Sequence, residues 1–121
     1  MEPIPADTEA VLAKSVINAS RWLGLADVAL ANVLGLTEAE VARMAQGTRL
    51  LNPESSEGSK ALQLVQLCRT LEALVGSDPQ MLQAWMRSHN EALGGIPQRR
   101  IQTPEGLAAT LEYLGRMVGK G

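Results

Sequence analysis

Residues 90–117 read NEALGGIPQRRIQTPEGLAATLEYLGRM, and this stretch decides the fold. It passes from an apolar anchor, Leu93, through a glycine pair to a basic turn and then to a capped helix. Gly94 and Gly95 allow φ values that a side chain would forbid. Pro97 fixes the turn that follows, and Gln98-Arg99-Arg100 makes that turn basic. Thr103-Pro104-Glu105 has the form of a helix start. It offers a hydroxyl to cap, a proline at the first helical position and an acid at the positive end of the dipole. Leu107, Leu111, Leu114 and Val118 recur at i, i+4, i+7 and i+11, which predicts one apolar face on a closing helix. Arg116 is rotated about 200° from Leu114 and is expected to point away from that face.

The segments before it are helical too. Leu12, Val16, Ala19 and Leu23 share one face of a first helix that ends at Gly24. A second helix is predicted over 26–34. Gly35-Leu36 breaks it, and Thr37-Glu38-Ala39-Glu40 restarts the chain as a capping box, in which Thr37 caps and Glu40 reaches back. A third helix carries Val41 and Met44 inward and stops near Gly47. The loop 48–58 holds Asn52-Pro53 and Ser55-Ser56 and forms the expected boundary between two modules. A long helix is predicted over 59–75, with Leu64, Leu67, Leu71, Leu74 and Val75 inward. Asp78-Pro79 starts another, with Met81, Leu82, Trp85 and Met86 as its apolar side. The reading is all-α, with six or seven helices and no strand.

Ala31, Gly35, Leu36, Val41 and Met44 have the spacing of a helix-turn-helix. Two short helices crossing steeply need a small residue at the contact, which Ala31 supplies. The turn needs a residue that tolerates positive φ, which Gly35 supplies. The outward face of the third helix is then Thr37, Glu38, Ala39, Ala42, Arg43 and Gln46. Arg43 and Gln46 suit purine edges, Thr37 suits a phosphate, and Glu38 could accept from a cytosine amino group. An alternative is a structural helical corner that reads no DNA.

Bulk properties restrict the chemistry. The 121 residues carry a net charge of −2, and residues 1–52 hold four basic against six acidic side chains. That balance argues against broad nucleic-acid binding. Aromatics are 2% of the chain, so the core must be built from Leu, Val, Ala and Met, which favours interlocked helices over a sheet. Cys68 is the single cysteine and sits in a leucine-rich helix, which predicts a small buried hydrophobe. Neither H-x-x-x-H nor C-x-x-C occurs, no nucleophile elbow is present, and Gly94-Gly95 is not a phosphate loop. No catalytic or metal site is expected. Residues 1–10 lack a basic-then-apolar leader, and no apolar run approaches a membrane span.

The order and spacing of Asn90, Ala92, Leu93, Gly94, Gly95, Pro97, Ile101, Thr103, Glu105, Gly106, Leu111, Leu114 and Arg116 resemble the closing pattern of the Xre/MbcA/ParS-type antitoxins. That pattern is N-x-A-L-G-G, a proline turn, an apolar residue, T-x-E-G and L-x-x-L-x-R. A chance helical hairpin would rarely supply T-P-E-G in register with both the glycine pair and the leucine stripe. The turn 98–100 is more basic than the apolar one usual in the family.

The resemblance implies an Xre-like helix-turn-helix module at 5–52 and a toxin-binding module at 53–121. It implies a type II antitoxin that occludes the active site of a RES-domain toxin, which consumes NAD or transfers ADP-ribose from it, and that autoregulates its operon. Toxin contacts would come from Leu93, Gly94, Gly95, Arg99, Arg100, Thr103, Glu105 and Arg116. NAD would belong to the toxin, and no cofactor to this chain. The expected partners are the toxin, operator DNA and a second copy of the chain through the long helix, in the bacterial cytoplasm. The competing reading is a helix-turn-helix regulator or helical adaptor without a toxin. An adjacent RES-domain reading frame separates the two.

Overall fold

The computed structural model describes residues 6–119. Among them run seven helices: α1 (Ala6–Trp22), α2 (Asp27–Leu34), α3 (Glu38–Ala45), α4 (Ser56–Val75), α5 (Pro79–Arg87), α6 (Pro97–Arg100) and α7 (Pro104–Gly119). Pro5, where the first module was expected to begin, and residues 120–121 lie outside the described residues.

Local chemistry sets the corners. The Gly35 N–H and the Leu36 N–H both donate to the Ala31 carbonyl, at 2.8 and 2.9 Å, with Gly35 at φ 73°. This left-handed residue reverses the chain, and Ala31, buried at the crossing, lets α3 come close. The α3 start is a complete capping box. The Glu40 N–H donates to Thr37 Oγ1 at 3.1 Å, while the Thr37 N–H donates to Glu40 Oε1 at 3.3 Å.

The long helix begins at Ser56 rather than at residue 59. The Ser55 hydroxyl accepts from the Gly58 N–H at 3.0 Å and donates to the Asn52 carbonyl at 2.6 Å. A cap that satisfies one of the free amides wins the first turn. Gly58 is needed there because a Cβ would overlap the Asn52 carbonyl of the crossing loop.

Helix α4 is the spine. Leu64, Leu67 and Leu71 are fully buried, and α4 packs against α1 and α2 as well as α5 and α7. One continuous apolar core therefore holds Leu12, Val16, Leu30 and Val41 from the first three helices together with Leu82, Met86, Ile101, Leu107 and Leu114. A hydrogen bond from Asn32 Nδ2 to Gln102 Oε1, at 2.8 Å, ties α2 to the turn before α7.

Three expectations need correction. The 98–100 turn is a single helical turn, α6, because Pro97 occupies its first position and pre-sets φ. Leu74 and Met81 are exposed, since the ends of α4 and α5 outrun their neighbours. The buried face of α7 is Gly106, Leu107, Thr110 and Leu114, with Leu111 only half-buried and Val118 exposed. This face is rotated by roughly 50° from the predicted leucine stripe. The cause is Gly106, which lies so close to the Arg100 carbonyl that a Cβ would overlap it. That approach turns Thr110 into the core, where its hydroxyl donates to the Gly106 carbonyl at 2.7 Å.

Two of the glycines of α7, Gly106 and Gly115, should therefore respond in opposite ways. Gly106→Ala is expected to destabilise the chain by about 1–3 kcal/mol through backbone overlap. Gly115→Ala, with open space around it, is expected to be neutral or to stabilise by about 0.5–1 kcal/mol. Urea titrations of both variants check this, and equal midpoints would remove the close approach as the cause of the rotation.

Candidate functional site

Two surfaces carry the residues singled out in the sequence. The first is the outward side of α3. Glu38, Ala39, Arg43 and Gln46 are exposed and Ala42 is partly so. Thr37 is exposed as well, but its hydroxyl is engaged. It accepts from the Glu40 N–H and donates to Glu40 Oε1 at 3.1 Å, so a phosphate would meet a hydroxyl already committed to the cap.

Glu40 is held away from solvent chemistry in the same way. Arg49 pairs with it through Nη2 at 3.0 Å and Nε at 3.1 Å, while Arg49 Nη1 donates to the Leu50 carbonyl at 2.9 Å. The Thr37 backbone N–H, and then Arg49, hold the Glu40 carboxyl below its ordinary range. Of the two acids in the first turn of α3, one is thus locally neutralised, and Glu38 alone projects as a free carboxylate.

Arg49 also approaches Glu57 of α4 at 3.9 Å, so the loop after α3 is clamped between α3 and the spine. Three cations that the sequence analysis left without a role meet here. Lys14 and Arg21 of α1 stand with Arg49 around a hollow of about 360 Å³ at the C-terminal end of α3, floored by Ala13, Ile17 and Met44. Their spacing on one face of α1 was the available signal; the packing of α1 on α3 gives it meaning.

The second surface is the hairpin and turn before α7. Asn90 and Gly95 form a two-way backbone bridge, with N–H to carbonyl distances of 2.8 and 3.2 Å. Asn90 Oδ1 accepts from the Leu93 N–H at 3.2 Å, and Gly94 has φ 69°. Leu93 is buried as the anchor of this loop, while Gly94 is exposed. The stem of Arg100 lies over Gly95, where a Cβ would stand 3.3 Å from Arg100 Cδ.

Arg99 and Arg100 are exposed on α6. Thr103 caps α7, its hydroxyl accepting from the Gly106 N–H at 3.1 Å, and Glu105 is exposed in the first turn. Arg116 stands apart near the C-terminal end of α7, two-thirds exposed, in an i,i+4 pair with Glu112 at 3.5 Å. Leu93, Gly94, Gly95, Arg99 and Arg100 thus share one hairpin and turn, with Thr103 and Glu105 at its exit and Arg116 beyond it.

Elsewhere the chemistry is structural. Burial, with Glu72 beside it, pushes the Cys68 thiol up to about 12. A thiol so placed is not a thiolate nucleophile at neutral pH. No group of His, Cys, Asp and Glu suited to a metal occurs among the described residues. No described helix is long and apolar enough to cross a membrane.

Comparison with protein families agrees with this two-part layout. The antitoxin Xre-like helix-turn-helix domain matches residues 2–66. The antitoxin Xre/MbcA/ParS C-terminal toxin-binding domain matches residues 70–120. The first match covers more than half of the chain, and the chain belongs to the Xre-type antitoxin family. It is an antitoxin with a helix-turn-helix domain followed by a toxin-binding domain, and these domains point to a regulatory role rather than an enzymatic one. A search of curated proteins returned no match.

The capping box provides a pH test. Glu40 has its carboxyl pKa lowered in the folded chain, so its stabilisation is present above the unfolded carboxylate pKa. It is lost as pH falls through the folded value. The melting temperatures of wild type and Glu40→Ala are expected to differ at pH 7 and to converge on acidification toward pH ~3. A gap that persists unchanged at low pH would show that the ionised carboxylate is not its source.

Proposed function

We propose that this chain is the antitoxin of a type II pair whose toxin carries a RES domain. The observation that carries the reading is the union, in one chain, of a helix-turn-helix domain and the family's toxin-binding domain. The surface around Arg99 and Arg100, flanked by Glu105 and extended by Arg116, would cover the toxin's active-site cleft. Any NAD chemistry belongs to the toxin, and this chain brings no cofactor of its own. In this reading residues 5–52 serve DNA and 53–121 the toxin, with α4 joining the two.

The first domain would place the complex on the operon's own operator. Arg43 and Gln46 present suitable groups for base edges, and Lys14 and Arg21 add positive charge near the end of α3. Half-site reading by one small helix-turn-helix is weak, so a homodimer is part of the proposal. Val11 and Leu62, both exposed, line with Val65 a shallow hollow between α1 and α4, the face we assign to the second copy.

Two measurements test the two halves separately. Arg43→Ala is expected to cost about 1–3 kcal/mol of operator affinity and to relax specificity. Complete absence of an operator shift at low salt, with and without toxin, would remove DNA binding. Arg116→Ala is expected to leave the melting temperature of the free antitoxin unchanged, because an exposed ion pair contributes little. It should speed dissociation of the toxin complex. If it lowers the melting temperature instead, Arg116 is structural and its contact role falls.

A further inference from the structure

Two arginines from consecutive helices line one hollow. Arg87 lies in the last turn of α5 and Arg99 in α6. With Ile96 and Gln98 they line a depression of about 290 Å³. No carboxylate lines it, and neither arginine forms an ion pair among the described residues. Nor is Arg87 occupied in ending its helix, since the Ser88 hydroxyl donates to the Ala84 carbonyl at 2.7 Å and takes that task.

The scaffold under the two groups is fixed. The Asn90–Gly95 bridge closes the loop between α5 and α6, and the Ile96 carbonyl accepts from the Arg99 and Arg100 N–H groups at 2.9 and 3.0 Å. Two like charges held around one concavity repel, and the arrangement becomes favourable when an anion enters. Guanidinium forks match a planar carboxylate with two parallel hydrogen bonds, each stronger than a neutral one.

We propose that this hollow receives an aspartate or glutamate side chain of the toxin, and that Arg87 is a toxin-contact residue alongside Arg99. The proposal rests on the toxin-binding reading above and adds a partner chemistry to it. Two observations favour a protein acid over a nucleic-acid phosphate. Half-buried Ile96 gives the hollow an apolar wall that a protein side chain can cover. The helices that carry it pack against one another and against α1, α4 and α7, whereas α3 packs on α1 and α2.

The test measures binding of the full chain to its purified cognate toxin by surface plasmon resonance. Arg87→Gln is expected to weaken binding about tenfold or more, the loss that follows removal of one charged hydrogen-bond partner. Most of the change should lie in dissociation. Arg87→Lys keeps the charge but not the fork, and should fall between wild type and Arg87→Gln. Lys60→Gln, an equal charge loss on α4, should stay within about twofold of wild type. All three variants should melt like wild type.

Wild-type binding by Arg87→Gln would overturn the proposal while leaving the antitoxin reading standing. So would an equal loss in Lys60→Gln, which would indicate diffuse charge rather than a site. Reduced affinity of Arg87→Gln for operator DNA with toxin affinity intact would overturn it in favour of phosphate recognition. A wild-type chain that captures no toxin would overturn both readings together.

Discussion

Helix α4 must satisfy two sets of neighbours at once, and the structure depends on how it does so. Leu64, Leu67 and Leu71 are fully removed from solvent because α1 and α2 cover part of the helix while α5 and α7 cover the rest. Burying a leucine contributes about 1.5–3 kcal/mol. Three such residues together match the scale of a domain's whole net stability, about 5–15 kcal/mol. The loop before α4 is drawn into the same arrangement. Gly58 lets Asn52 cross its first turn, and Arg49 reaches from that loop to Glu40 on one side and Glu57 on the other. Helix α3 is positioned by its own cap and also by its ties to the spine.

Features governed by near neighbours in sequence were legible before any coordinates. Thr37 and Glu40 are three residues apart, and the capping box they form needs nothing else. Gly35 announces a left-handed corner, and Leu12, Val16 and Ala19 fall on the buried face of α1, with Leu23 buried just past its end. The features missed depend on distant backbone. Nothing in the leucine spacing of α7 reveals that Gly106 will press against the Arg100 carbonyl and rotate the helix until Thr110 is buried. Nor does the serine run 55–59 say which member caps α4, because the decision rests on the Asn52 carbonyl that Ser55 alone reaches.

The candidate surfaces divide along the same line. Arg99 and Arg100 stand out in the sequence because they are adjacent cations in a turn. Arg87 does not, since a basic residue in the last turn of an amphipathic helix is ordinary. Only the closure of the Asn90–Gly95 bridge brings it beside Arg99. The acidity of the outward α3 face is likewise overstated by counting. Glu38 and Glu40 look equivalent as letters, but one is exposed and the other is held by Thr37 and Arg49.

The shared core has a consequence for how long each surface persists. Leu30 and Val41 of the helix-turn-helix lie in the same cluster as Leu107 and Leu114 of the closing helix. Asn32 and Gln102 join the two halves at the surface as well. An opening large enough to release α4 from its neighbours therefore dismantles the α3 face and the hairpin face in one event. The two surfaces share a single lifetime, and a protease that captures the opened chain removes both together instead of leaving one of them intact.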